Sequence, residues 1–154
     1  MIRNAIATAD EASSLLALVA DLHDGCLGEA HLWTEHAIGE DLAMTVGSGW
    51  DTWVRLLLQR QGRPLSAVEL LFREVRKFVV TPSPRRCESI IVSATLLVRE
   101  EGIFRADRAG WSPDSADRDL ATWVWAGRLS WRDASDWMGS ALRYGATAPN
   151  QPRG

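Results

Sequence analysis

The densest group of side chains able to do chemistry is His23, Asp24, Cys26, Glu29, His31 and His36. A divalent metal needs three or four such ligand atoms converging at about 2.0–2.3 Å. Side chains alternate along an extended chain, so Glu29 and His31 share a face there while Cys26 and His31 do not. The spacing matches no zinc motif. The commoner role of a His-Asp pair is to hold backbone groups where a helix stops and an edge strand begins, so no metal and no cofactor are expected.

Other chemistries find less. Nucleophilic catalysis needs a Ser or Cys beside a base, yet no GxSxG occurs and neither Cys26 nor Cys87 has a local partner. Gly47-Ser48-Gly49 is a turn, with no P-loop or GxGxxG around it. The chain is therefore read as a non-enzyme. Arg55, Arg60, Arg63, Arg73, Arg76, Lys77, Arg85 and Arg86 can line a basic stripe for nucleic acid, with aromatic rings to stack on bases. A solvated outer sheet face is the commoner reading of such a set. Eight tryptophans can fill a core, line an apolar pocket or form a protein-binding patch. Trp50 and Trp111 fall in expected loops, where burial is harder to arrange, and Trp is enriched at interface hot spots.

These side chains must be positioned by four apolar segments at residues 53–61, 68–80, 90–98 and 103–107. Arg99-Glu100-Glu101-Gly102 joins the last two as a hairpin turn, glycine supplying a positive φ. Thr8-Ala9-Asp10-Glu11 is a capping box, and Ala12, Leu15, Leu16, Val19 and Leu22 recur at helical spacing, so a helix is expected from about Ala9 to a glycine stop at His23-Asp24-Gly25. Residues 26–35 read as a mixed-face strand near an edge, and residues 41–46 continue it with Leu42, Met44 and Val46 on one side. Leu56-Leu57-Leu58 is apolar on both faces, which marks a central strand.

Residues 68–80 are ambiguous. Val68, Leu71, Phe72, Val75 and Val79 lie at helical spacing, whereas a strand needs Val68, Leu70 and Phe72 inward and a bulge at Arg73-Glu74. Residues 110–119 read as a mobile surface loop. Residues 123–131 are a last strand with a bulge or turn at Gly127 and with Trp123, Trp125, Leu129 and Trp131 on one parity. Asp133 can cap a short helix over residues 134–144, and the end of the chain frays.

At 154 residues the chain is expected to be one domain, residues 1–145, followed by a disordered tail at 146–154. Apolar and charged contents of 46% and 24% exclude a disordered or fibrous class. No apolar run approaches the roughly 18 residues of a membrane span, no signal-length core builds up at the N-terminus, and two isolated cysteines suit a reducing compartment. A cytoplasmic location is expected. Charge is uneven: residues 1–51 hold nine acids and one base, and residues 52–108 six acids and eleven bases. Such asymmetry makes an acidic docking face and a basic one, or two sets that pair across the fold.

Several pieces in one order resemble a loose family of small, mostly uncharacterised bacterial proteins. They are Leu22-His23-Asp24 with Cys26-Leu27 and Glu29; Leu57-Leu58-Gln59-Arg60-Gln61; Val68-Glu69-Leu70-Leu71-Phe72 with Val75 and Phe78; and Ser93-Ala94-Thr95-Leu96-Leu97-Val98 with Gly102-Ile103-Phe104. The likeness spans about residues 22–107. It implies an α+β fold, a curved antiparallel sheet of about six to seven strands with the N-terminal helix on one face and a short C-terminal helix, and it tips residues 68–80 toward strand. Relatives of this look sit beside contact-dependent or polymorphic toxins as immunity proteins. The resemblance implies a non-enzymatic inhibitor of a toxin-like protein; the acidic segment at residues 21–51, able to complement a basic partner, is the expected docking surface, and Asp24, Glu29, His31, Trp33, Glu35, Trp50 and Trp111 are the expected partner-binding set. The alternatives are a small-molecule or nucleic-acid binding domain using a Trp-lined pocket and the Arg-rich face, and a weaker reading as a metal-dependent hydrolase at His23, Asp24 and His31.

Overall fold

Thr8 opens the first helix, α1 (Ala9–Leu18), by the expected capping box. Its Oγ1 accepts from the Glu11 N–H at 3.2 Å, and Glu11 Oε2 accepts from the N–H groups of Thr8 at 3.0 Å and Ala7 at 2.7 Å. The helix stops earlier than expected, and a 3-10 turn, Ala20–Leu22, follows it. The left-handed backbone is carried by Ala20, Asp21, Leu22 and Asp24 and not by Gly25. Gly25 serves close approach instead: a Cβ there would lie 2.7 Å from Leu22 O and 2.9 Å from Gln59 O.

The computed structural model describes residues 2–83 and 89–137. Its strands are β1 (Asn4–Ile6), β2 (Gly25–Thr34), β3 (Ala37–Ile38), β4 (Met44–Thr45), β5 (Thr52–Arg60), β6 (Ala67–Val79), β7 (Thr95–Arg99), β8 (Gly102–Ala106) and β9 (Trp123–Asp133). Seven of them form one antiparallel sheet in the order β2-β5-β6-β9-β8-β7, with β1 on β9 beyond the end of β8. The fold is α+β with a curved sheet. Curvature is visible in one bridge: the Ile91 N–H, just before edge strand β7, donates to Gly25 O at the start of the opposite edge strand β2, 2.7 Å away. The two ends of the strand order thus meet at one corner, and α1 with its C-cap fills the hollow, setting Ala12, Leu15 and the cap residue Val19 against Leu56, Leu58, Val68, Leu70 and Leu96. No helix among the described residues is long and apolar enough to cross a membrane.

Leu56, Leu57 and Leu58 are fully buried in β5, as a central strand demands. Residues 67–79 are strand, not helix. Their helix-like spacing comes from a change of parity: Val68, Leu70 and Phe72 face the core, Glu74 takes φ 56, and Val75 faces the core again. The extra residue falls between Val75 and Lys77, slightly beyond the expected bulge. β9 changes parity with its partner and runs through Gly127 without a bulge of its own; a Cβ at Gly127 would sit 3.0 Å from Glu74 Cβ. Consequently Val124, Ala126 and Leu129 face the main core while Trp123 and Trp125 face the other way, so the expected single-face tryptophan row is split.

The hairpin at Arg99 and Gly102 is as expected, with Gly102 at φ 135. Its first strand begins only at Thr95, because residues 91–94 are engaged in closing the corner: the Ala94 N–H donates to Asp21 O at 2.8 Å. The expected loop at 110–119 is tied down. Trp111 and Pro113 are buried, the Trp111 Nε1–H donates to Arg118 O at 3.0 Å, and Trp111 packs with Phe104, Ala106, Ala121 and Trp123 on the outer face of the sheet. Asp133 Oδ1 accepts from the Ser135 N–H at 2.8 Å and begins a 3-10 turn, Ser135–Trp137. The rest of the expected C-terminal helix, the tail at 146–154, Arg85, Arg86 and Cys87 lie outside the described residues.

Three charged side chains are buried among the described residues, Glu69, Arg105 and Arg132. Glu69 on β6 receives both Nε and Nη2 of Arg132 at 2.8 and 2.7 Å and also meets Arg3. Arg105 on β8 projects into the apolar core under α1, paired with Asp107. Burial pushes the Arg105 guanidinium below its ordinary pKa, and Asp107 partly offsets that.

Candidate protein-docking surface

Residues 35–51 leave the main sheet as an arm. The Glu35 N–H still donates to Asp51 O at 3.3 Å, extending the β2–β5 ladder, and the chain between them folds into the separate β3–β4 hairpin. Gly39 and Ala43 close its turn through a 2.9 Å backbone bond, and Asp41 Oδ1 accepts from the Ala43 N–H at 3.0 Å. Residues 41–46 therefore do not extend the strand before them, and Leu42, Met44 and Val46 do not face the core. Ile38, Leu42, Met44, Val46 and Trp50 are all more than half exposed, Leu42 at 84%. Glu35, Glu40 and Asp41 stand among them, and His36 Nδ1 lies 2.5 Å from Asp51 Oδ2 at the base. The arm is an apolar crown with an acidic rim.

The expected partner-binding residues separate into three places. His31, Trp33 and Glu35 run along β2 to the foot of the arm. Trp33 stacks on Trp53 with ring centres 5.6 Å apart, and the Trp53 Nε1–H donates to Glu35 Oε1 at 3.1 Å. His31 Nδ1 accepts from Arg55 Nη2 at 3.1 Å. Glu29 is half-buried on the same strand. Trp50, at the return of the arm, lies exposed with Arg76 5.7 Å from its ring centre. Asp24 sits at the opposite end of β2, 3.6 Å from His23. Trp111 is buried on the same outer face, but against Phe104, Ala121 and Trp123, and does not join this surface.

The possible metal ligands are scattered. His23 Nδ1 lies 2.7 Å from Val92 O, His31 is held by Arg55 and His36 by Asp51. Among the described residues no three His, Cys, Asp or Glu side chains gather as ligands. Cys26 is a half-buried free thiol.

The basic stripe takes an unexpected form. Arg73 lies 4.4 Å from the Trp53 ring centre, Arg55 5.8 Å from Trp33, Arg76 5.3 Å from Trp125, and Lys77 5.5 Å from Trp123. Cations and rings alternate across the outer face, each guanidinium covering a face that a base would need for stacking. Trp123 belongs to the outer cluster and Trp131 packs on the main core, so the two cannot line one pocket. Sequence reasoning missed Ile38 altogether and read Leu42, Met44 and Val46 as a strand face. The available signal was the bracketing of the segment by Gly39 and Gly47-Ser48-Gly49 with acids between.

No protein-family model matches the chain, and no curated protein and no solved structure shows significant similarity to it.

Proposed function

We propose that this is a non-enzymatic protein-binding domain whose arm at residues 35–51 docks on a basic partner. The observation that carries the reading is the exposure of five large apolar side chains on one short arm set among acids. Monomeric proteins rarely leave such a patch bare, and an apolar centre with a charged rim is the anatomy of a binding surface. The acidic rim speeds encounter with a positively charged target. The family resemblance adds a class of partner: a bacterial toxin occluded in the cytoplasm by an immunity-type inhibitor. The nucleic-acid alternative is disfavoured because Arg55 and Arg73 already occupy tryptophan faces.

The test is quantitative pull-down from the native host with the wild-type protein and with Leu42→Ser/Trp50→Ala, each checked for an unchanged melt. A partner with a basic surface, recovered by the wild type and lost by the double variant, supports the reading. Equal recovery by both proteins removes the arm from the interface and the proposal with it.

A further inference from the structure

The outer face of the sheet, away from α1, carries a second surface whose cations are concentrated on β6. Val75 and Phe78 both pack on the main core, so the bulge between Val75 and Lys77 turns Arg76 and Lys77 together to the outer side. There Arg76 lies 5.3 Å from the Trp125 ring centre and Lys77 5.5 Å from that of Trp123. Arg73 stands on the same face, 4.4 Å from the Trp53 ring centre. The nearest acids are engaged elsewhere: Glu74 by Arg128 Nε at 2.8 Å, Glu101 by Arg99 at 3.7 Å, and Glu35 by the Trp53 Nε1–H at 3.1 Å. Arg73, Arg76 and Lys77 therefore have no carboxylate partner among the described residues. Arg73 is moreover set directly opposite Arg128 in the β6–β9 register, and like charges so placed repel. A bound anion would offset that repulsion.

We propose that Arg73, Arg76 and Lys77 form a site for a chain of linked phosphate groups. The stacking that bars a nucleobase does not bar a phosphate. A guanidinium laid on an indole uses its flat face there, while its N–H donors point outward from its edge and fit the oxygens of an oxyanion two at a time. The indoles also hold the side chains still before anything binds, which lowers the ordering cost of association. Arg73 and Lys77 are exposed and reach the ligand directly; Arg76 is half-buried, its Nη1 donates to Glu101 O, and it supplies charge from below. Four residue steps separate Arg73 from Lys77, at most about 13 Å of extended strand. A carboxylate or a single phosphate cannot touch both while each cation keeps its ring. A linear triphosphate can, and its several negative charges match the cations that the fold leaves without a countercharge.

Isothermal titration of the purified full chain with sodium tripolyphosphate, in magnesium-free buffer of fixed ionic strength, tests this. The expected result is saturable one-to-one binding, about tenfold or more tighter than that of orthophosphate. Arg73→Gln/Lys77→Gln should weaken it by about tenfold or more with an unchanged melt, because both side chains are exposed. Arg63→Gln removes the same kind of charge from the turn between β5 and β6 and should leave binding as it was, which separates a local site from the attraction of net charge. A triphosphate can be bare or carried on a nucleoside, so ATP is titrated as well. It should bind no more tightly than tripolyphosphate, since the ring faces are already covered. Absence of saturable heat, equal weakening by Arg63→Gln and the double variant, or markedly tighter binding of ATP would each overturn the site. Leu42→Ser changes the arm and leaves this binding intact, so failure of docking by the arm and failure of phosphate binding are read separately.

Discussion

Arg105 is the residue whose placement costs most. Its guanidinium is fully buried, Nε and Nη1 have no hydrogen-bond partner, and Asp107 is the countercharge. A buried charge stripped of its partner is worse than no charge, because desolvation is then uncompensated. Asp107→Ala should therefore lower unfolding stability by about 3–5 kcal/mol in urea titrations, while Arg105→Met should cost far less or even stabilise. If the two variants are equally destabilised, the pair owes its presence to packing rather than to charge. Glu11 gives a pH test. The backbone N–H of Ala7, then that of Thr8, holds its carboxyl below the usual value of 4.5. A depressed carboxylate contributes stability above its unfolded-state pKa and loses it as pH falls through the folded-state value. The melting-temperature difference between wild type and Glu11→Ala should be full above pH 4.5 and close below it. A difference that persists in acid would mean that Glu11 acts by something other than its charge.

At the scale of elements, the corner where β2 leaves the 3-10 turn is the tightest junction. The Leu22 and Gln59 carbonyls crowd Gly25 from two sides, and both belong to backbone that cannot swing aside. Gly25→Ala should destabilise by about 2 kcal/mol or more, at the upper end of ordinary single substitutions. Hydrogen exchange should show the damage first in β2 and at the Ile91 bridge. Gly102→Ala is the contrasting case, since it loses both a positive φ of 135 and the space filled by Ala126 O. The β3–β4 arm is the opposite kind of element: two two-residue strands, exposed on all sides, with no buried residue to anchor them. Its shape is held by its turn hydrogen bonds and by the foot at Glu35 and Asp51.

For the molecule as a whole, stability should be graded from the sheet's middle outward. β5, β6 and β9 carry residues buried on both faces and pair with neighbours on both sides. Their amides should exchange only by global unfolding, whereas residues 36–50 should exchange by local opening at a far lower free energy. Protection in the arm equal to that of β5 would mean that something covers it in solution. The same grading suits a docking device, because a loosely held apolar hairpin adjusts to a partner while a rigid sheet carries the foot of the arm.

What the sequence determined by itself was local. The Thr8–Glu11 box, the Leu56–Leu58 run and the Gly102 hairpin each depend on residues within a few positions, and all three stand in the structure as read. Tertiary structure decided what depends on distant chain. Residues 67–79 are strand because β5 and β9 flank them on both sides, and the parity change at Glu74 that disguised this as helical spacing is matched at Gly127, more than fifty residues away. Trp111 is buried because Phe104 and Trp123 meet it there, and Leu42, Met44 and Val46 are bare because no element among the described residues covers them. An apolar side chain states only that it can be buried; which long-range pairing reaches it, or fails to, is settled by the closure of the sheet.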